Sequence, residues 1–250
     1  MNGRQRLDLA IEAQQLLPSR ARARDAILRG TVKVNGVAAL KPNLMVGAAD
    51  RIELDDPAAA YVSRAALKLV AGLDAGEIEV AGKTCLDVGS STGGFTQVLL
   101  ERGAARVFAV DVGHDQLHER IRKSDKVTVL EGQNARDLTT ALIPAPIDLL
   151  VTDVSFVSVT KVLAAPLSLC RPGADAVVLI KPQFEVGREH VGGGGIVTDA
   201  AAISAGIAQV VAFMDRHGFA HRLSAPSPIA GGDGNRETVA VFRHRPGQAG

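Results

Sequence analysis

Four ionisable side chains sit where a folded sheet could bring them together. The run IDLLVTDVSF, residues 147 to 156, is branched and apolar until it reaches Asp153, and DAVVLIKPQF, residues 175 to 184, behaves the same way up to Lys181. YVSRAALKL, residues 61 to 69, carries Lys68 on helical spacing ahead of these runs. GNRETVAVF, residues 234 to 242, places Glu237 at the head of the last apolar run. Two amines and two carboxylates could take the proton of a weakly acidic hydroxyl, or hold the alkoxide it becomes. An exposed lysine, with a pKa of about 10.4, is too fully charged to accept a proton. Burial at a strand end and the neighbouring Lys68 would each favour the neutral amine of Lys181, whereas Asp153 would oppose that and orient it. The base and the cation roles of Lys181 both stay open. Taken singly, each residue has a plainer reading: Lys68 as a solvated helix charge, Asp153 as a turn cap, Lys181 as a snorkelling strand end, Glu237 as a surface charge.

A second feature is LDVGSSTGGFT, residues 86 to 96, a glycine-rich turn between a branched run and a helical stretch. Such a turn lets backbone approach a ligand closely. Its glycine spacing is not GxGxxG, and no GxxxxGK[ST] is present, so a dinucleotide or a P-loop nucleotide is disfavoured. Asp111 ends the next branched run, twenty-four residues after Asp87, where an acid can take a ribose diol. A glycine turn with that acid, but without the pyrophosphate signature, fits a nucleoside lacking phosphates, and S-adenosylmethionine is the candidate cofactor. The residues expected to hold it are Asp87, Gly89, Ser90, Ser91, Gly93, Gly94, Phe95, Asp111, Asn134 and Asp153; no metal ligands are expected.

These positions need a scaffold, and the body of the chain predicts one. Strands are expected at 84 to 88, 106 to 111, 126 to 130, 147 to 154, 175 to 180, more weakly at 219 to 224, and at 237 to 242. Helices should fill 61 to 74, 94 to 102, 115 to 122, 158 to 169 and 199 to 217. This alternation predicts an α/β fold, a Rossmann-like, mostly parallel sheet covered on both faces, with ligands at the carboxyl ends of its strands. If the last strand runs antiparallel, Glu237 starts at the edge where Lys181 ends. Four consecutive glycines, Gly192 to Gly195, read as a flexible loop, either a lid over the reacting group or a plain connection.

The first forty-one residues hold eight Lys and Arg against three Asp and Glu, although the whole chain carries a net charge of only +1. A basic head on a slightly acidic body points to a polyanionic partner. RLDLAIEAQQLL and RARARDAILRG read as helices, the second capped by Ser19 and closed by Gly30. TVKVNGVAAL reads as a hairpin turning on Asn35 and Gly36, followed by a strand at 49 to 54. Arg20 and Arg24, four apart, share a helix face, with Arg22 and Lys33 nearby. The expected boundaries are a small α+β head at 1 to 56, a linker at 57 to 60 and the body at 61 to 250. With no Trp, one Tyr and seven Phe, the core must be aliphatic. Cys85 and Cys170 read as buried free thiols, and neither a leader peptide nor a spanning helix is expected, so a cytoplasmic protein is predicted.

The head closely resembles the S4 RNA-binding domain. With YVSRAALKL, LDVGSSTGGFT, AVDVG, TDVSF, LIKPQFEVG and GNRE behind it, the whole chain resembles the TlyA family, haemolysin A-like proteins whose body is similar to FtsJ/RrmJ-type ribose 2′-O-methyltransferases. The resemblance implies S-adenosylmethionine-dependent methylation of cytidine ribose in 16S and 23S rRNA of ribosomal subunits, by a monomer. It places the catalytic lysine, aspartate, lysine and glutamate at Lys68, Asp153, Lys181 and Glu237. It also implies that Arg4, Arg6, Ser19, Arg20, Arg22, Arg24, Lys33 and Lys41 contact RNA. Ala65 and Ala66 replace a glycine frequent in relatives, and Thr238 stands where an aromatic is expected. The competing readings are a non-catalytic rRNA-binding assembly factor and a membrane-active haemolysin.

Overall fold

The computed structural model describes residues 3 to 246. Contacts divide the chain into two compact units between Ala60 and Tyr61.

The first unit packs α1 (Leu7–Ala13) and α2 (Arg20–Leu28) on short strands. Leu7, Ile11, Ala23, Ile27 and Val32 are its buried core. α1 stops at Ala13, short of the predicted end, and Gln15 takes a positive φ of 56° ahead of Pro18. The Ser19 hydroxyl accepts from the Arg22 amide and caps α2. β2 (Val32–Val34) and β3 (Val37–Ala38) turn on Asn35 (φ 52°) and Gly36 (φ 80°), the paired positive angles of a type I′ hairpin, and β5 (Ile52–Leu54) adds to β2. A second ribbon, β1 (Gln5–Arg6) with β4 (Met45–Val46), is too short to leave a period in the sequence. The expected linker is not a loose tether. Pro57–Ala60 form a 3₁₀ turn of this unit, tied down by Arg29 on Asp56 at 2.7 and 2.8 Å and by Arg22 on the Ala58 carbonyl at 2.7 Å.

The second unit is a seven-stranded sheet of β6 (Thr84–Val88), β7 (Arg106–Asp111), β8 (Val127–Glu131), β9 (Ile147–Thr152), β10 (Cys170–Ile180), β11 (Phe219–Pro226) and β12 (Thr238–His244), in the order β11-β12-β10-β9-β6-β7-β8. β6 to β10 are parallel, and β12 is antiparallel to both of its neighbours. The chain winds outward from β6 through β7 to β8, then returns to β9. The carboxyl ends of β6 and β9 therefore flank the reversal of strand order, where such sheets bind ligands. The central strands are buried on both faces, which is why they read as unbroken apolar runs.

One face is covered by α3 (Ala66–Ala75) and α4 (Gly94–Glu101), the other mainly by the long helix Ala200–Arg216. Gly72 lets α3 sit directly on the sheet; a Cβ there would lie 2.7 Å from Val177 and 2.8 Å from Val239. The predicted helix at 115 to 122 shrinks to α5 (Glu119–Arg122), because the amides of Asp115, Gln116 and Leu117 donate to the Glu131 carboxylate instead. The one at 158 to 169 divides into a 3₁₀ turn at Val159–Lys161 and α6 (Ala164–Ser168), which contains Pro166. Among the described residues no helix is long and apolar enough to cross a membrane.

Candidate active site

Strand register explains how four distant residues meet. Val88 pairs with Thr152, Thr152 with Val178, and Ile180 with Thr238. Asp153, Lys181 and Glu237 each adjoin one of these strand ends, and the antiparallel β12 starts where β10 stops. Lys68 arrives from α3, one turn before Gly72, so the close seating of that helix carries its amine over the sheet edge. Lys68 Nζ lies 2.6 Å from Glu237 Oε2 and 3.4 Å from Asp153 Oδ2. Lys181 Nζ lies 2.8 Å from Asp153 Oδ1, 2.7 Å from Ser155 Oγ and 3.4 Å from the Asp153 carbonyl. Lysine, aspartate, lysine and glutamate thus alternate in charge, all nearly buried. Ser155 belongs to this cluster although the sequence, which carries it inside TDVSF, marks no role of its own for it.

Asp153, Ser155 and Lys181 border two adjoining cavities, whereas Lys68 and Glu237 line neither and sit behind Asp153. The larger, about 590 Å³, is walled by Val88, Val110, Val112, Val154, Val162 and Phe156, with Asp111, Gln116 and Asn134 as polar groups. The smaller, about 220 Å³, includes Ser63, Ser90, Gly94, Phe95 and Lys181. Gly89, Ser91, Asp153 and Ser155 belong to both. A volume of this size, apolar with a few placed polar groups, suits a nucleoside-sized ligand. Asp111 accepts from the amides of Ser91 and Gly113 at 2.8 Å each, and the second lone pairs of both oxygens stay available for a ribose diol. At Gly89, φ is +83° and a Cβ would meet the Val154 backbone nitrogen at 3.2 Å, so the turn closes on the β9 tip only as glycine.

Not every expected cofactor residue lines this space. Gly89, Ser91, Asp111, Asn134 and Asp153 face the larger cavity, and Ser90, Gly94 and Phe95 face the smaller. Gly93 and Asp87 line neither. Gly93, at φ +98°, starts α4, with Leu117 and Ile121 close by. Asp87 is fully buried beneath the turn, where it accepts from the Thr96 hydroxyl at 2.7 Å; it supports α4 rather than walling the cleft. Burial pushes its carboxyl up to about 7, against the hydrogen bonds from Thr96. A carboxyl raised in the fold loses stability as pH climbs from its unfolded value near 4 through about 7. Asp87→Asn, uncharged throughout, should lack that slope, so its melting temperature relative to the parent should rise between pH 5 and pH 8. A difference independent of pH would refute the assignment.

The head's basic residues divide as well. Arg6, Arg20 and Arg24 gather around Asp8, while Arg4 donates to the Met45 carbonyl. Lys33 and Lys41 are exposed. Ser19 is engaged as the α2 cap. Arg22, expected near that face and in contact with RNA, is partly buried and donates to the Ala58 carbonyl, because two residues along a helix turn the side chain well away from Arg20 and Arg24.

Residues 61 to 244 match the model of the FtsJ-like methyltransferase family, and residues 5 to 52 match that of the S4 domain. The 16S/23S rRNA (cytidine-2′-O)-methyltransferase TlyA of Mycobacterium tuberculosis is 42% identical, over 97% of this chain and 91% of its own length. The chain belongs to the TlyA family. Another relative, Hemolysin A of Brachyspira hyodysenteriae, is 38% identical over 95% of this chain and 99% of its own. A solved hemolysin-type chain from Streptococcus thermophilus superposes with a TM-score of 0.76 at 34% identity, covering 98% of this chain and 90% of that one. An S-adenosylmethionine-dependent methyltransferase from Mesorhizobium loti, at 16% identity and a TM-score of 0.52, covers 71% of this chain and 97% of its own, and shares the fold. TlyA family membership accounts for both the S4 head and the methyltransferase sheet.

Proposed function

We propose that this TlyA-family chain transfers a methyl group from S-adenosylmethionine to the ribose 2′-hydroxyl of cytidines in 16S and 23S rRNA, acting as a monomer on ribosomal subunits in the cytoplasm. The observation that carries the reading is the position of Lys181 Nζ, 2.8 Å from Asp153 Oδ1 and facing the cavity that adjoins the larger cleft. Asp111, Asn134 and the Gly89 turn would hold the nucleoside part of the cofactor. When bound, S-adenosylmethionine supplies an electrophilic methyl on a sulfonium.

The remaining work falls to this chain's own side chains. A ribose hydroxyl is a poor nucleophile until its proton is taken or its oxygen's developing charge is met by a cation. Lys181 Nζ donates to Ser155 Oγ at 2.7 Å and to the Asp153 carbonyl at 3.4 Å, with the Asp153 carboxylate beside it as an ion pair at 2.8 Å. For a ribose oxygen to reach that nitrogen, one acceptor must give way. Ser155, a neutral hydroxyl on a loop, is the one to yield, whereas the Asp153 carboxylate keeps Lys181 aimed. Lys68 joins Asp153 to Glu237 and holds both carboxylates in place. Phe156, 92% exposed at a φ of 65° on the rim of the cleft, offers a flat face on which an unstacked base can lie.

Incubation with labelled S-adenosylmethionine and with 30S and 50S subunits from cells lacking these methyl marks tests the reading. Label should appear at cytidine 2′-oxygens of the rRNA. Binding to subunits without label would favour the assembly-factor reading, and label on a base would exclude ribose chemistry.

A further inference from the structure

The basic face of the head is organised by one carboxylate that charge counting alone would score as unfavourable for RNA. Asp8, the second residue of α1, has no exposed side-chain surface. Its oxygens accept from Arg6 Nε at 2.9 Å, Arg6 Nη2 at 3.0 Å and Arg20 Nε at 2.9 Å, and Arg24 Nη1 lies 4.0 Å away. The Arg20 amide is fixed by Glu12 at 3.0 Å. The three guanidinium side chains nevertheless stay 36, 45 and 51% exposed. Arg20 spends its Nε hydrogen on Asp8, so its two terminal nitrogens remain for a phosphate.

We propose that Asp8 is a positioning residue for RNA binding, locking Arg6 and Arg20, with Arg24 drawn alongside, into one preorganised cationic fork that receives backbone phosphates. This deepens, and rests on, the reading of the head as an RNA-binding unit. Long arginine side chains lose rotamer freedom on binding, and a side chain already held in place loses less. The hydrogen bonds from Arg6 and Arg20 bring the Asp8 carboxyl down to about 2, so the fork keeps its anchor at any physiological pH.

Simple electrostatics and positioning predict opposite signs. Removing a negative charge from among arginines should tighten binding to a polyanion if charge alone matters. Positioning predicts that Asp8→Asn binds transcribed 23S rRNA about three- to tenfold more weakly at fixed salt, through lost preorganisation. Asp55→Asn, which removes one exposed charge from the same unit, should bind no more weakly than the parent. In a background of Arg20→Ala with Arg24→Ala, Asp8→Asn should cost less than in the parent, because only Arg6 is left for it to position. Unchanged or tighter binding by Asp8→Asn, with a normal melting curve, would overturn the proposal. Unchanged binding by the double arginine variant would instead sink the RNA reading of the head. If Asp8→Asn does not fold, the Nε–Hε signals of Arg6 and Arg20 in the free parent protein decide: slow exchange and restricted motion support the fork, and averaging typical of free side chains overturns it.

Discussion

Lys181→Ala should transfer methyl groups at least a hundredfold more slowly than the parent, within the 10²–10⁴ range of a positioned proton-transfer or charge-stabilising group, with S-adenosylmethionine affinity changed by no more than about twofold. The two effects separate because Lys181 borders the smaller cavity and is absent from the walls of the larger one. Single-turnover rates with saturating cofactor, together with equilibrium binding of the cofactor alone, measure each. Near-parental turnover by Lys181→Ala would remove this amine from the chemistry. Lys181→Arg then distinguishes its two possible duties. A guanidinium stays charged but accepts no proton. Retention of a substantial rate by the arginine variant would identify a cation for the developing alkoxide, and a loss as deep as that of alanine would point to proton removal. Truncation also leaves Asp153 facing Lys68 alone at 3.4 Å, so melting temperatures should accompany the rates.

Gly89→Ala should damage both cavities at once. Alanine at φ +83° is strained, and its Cβ would press on the Val154 Cγ1, N and Cα atoms at 3.1 to 3.3 Å. Two of those atoms are backbone at the β9 tip, so the turn and the tip must move apart. That displacement shifts Ser91 on one side and Asp153 with Ser155 on the other. The expected result is an increase of at least about tenfold in the cofactor dissociation constant with a comparable fall in turnover, since about 1 Å of misplacement in a reacting geometry can cost two orders of magnitude. Isothermal titration and single-turnover assays would show it; a cofactor constant within twofold of the parent would mean that the turn does not face the ligand.

The sheet was legible because its strands are buried on both faces and announce themselves as branched runs; β6 and β7 lie at their expected limits. Strand ends that carry a charge after such a run are readable for the same reason, and Asp153 and Lys181 stood out. What the sequence hides is where a backbone amide finds its partner. Glu131 captures three amides and shortens α5, and Glu185 takes the Val159 amide and the Ser158 hydroxyl in the segment expected to be helical. Neither carboxylate carries a local signal. Asp8 was hidden by its type: on a basic face an acid reads as dilution, and only burial reveals it as the hub. The expected glycine loop is pinned by Asn235, which accepts from the Val197 amide and donates to the Gly195 carbonyl, two residues before Glu237. Such a link between distant segments leaves no period in sequence.

The docking of Asp56 and Ala58 onto Arg29 and Arg22 bears on how the head can be excised for study. A fragment ending at the last strand would leave the mostly shielded Arg29, only 16% exposed, with Asp25 on its Nε but without the bidentate acceptor for its two terminal nitrogens. Cutting after residue 60 retains that acceptor and the 3₁₀ turn behind it, so the natural seam for excision lies several residues downstream of where the β-structure stops.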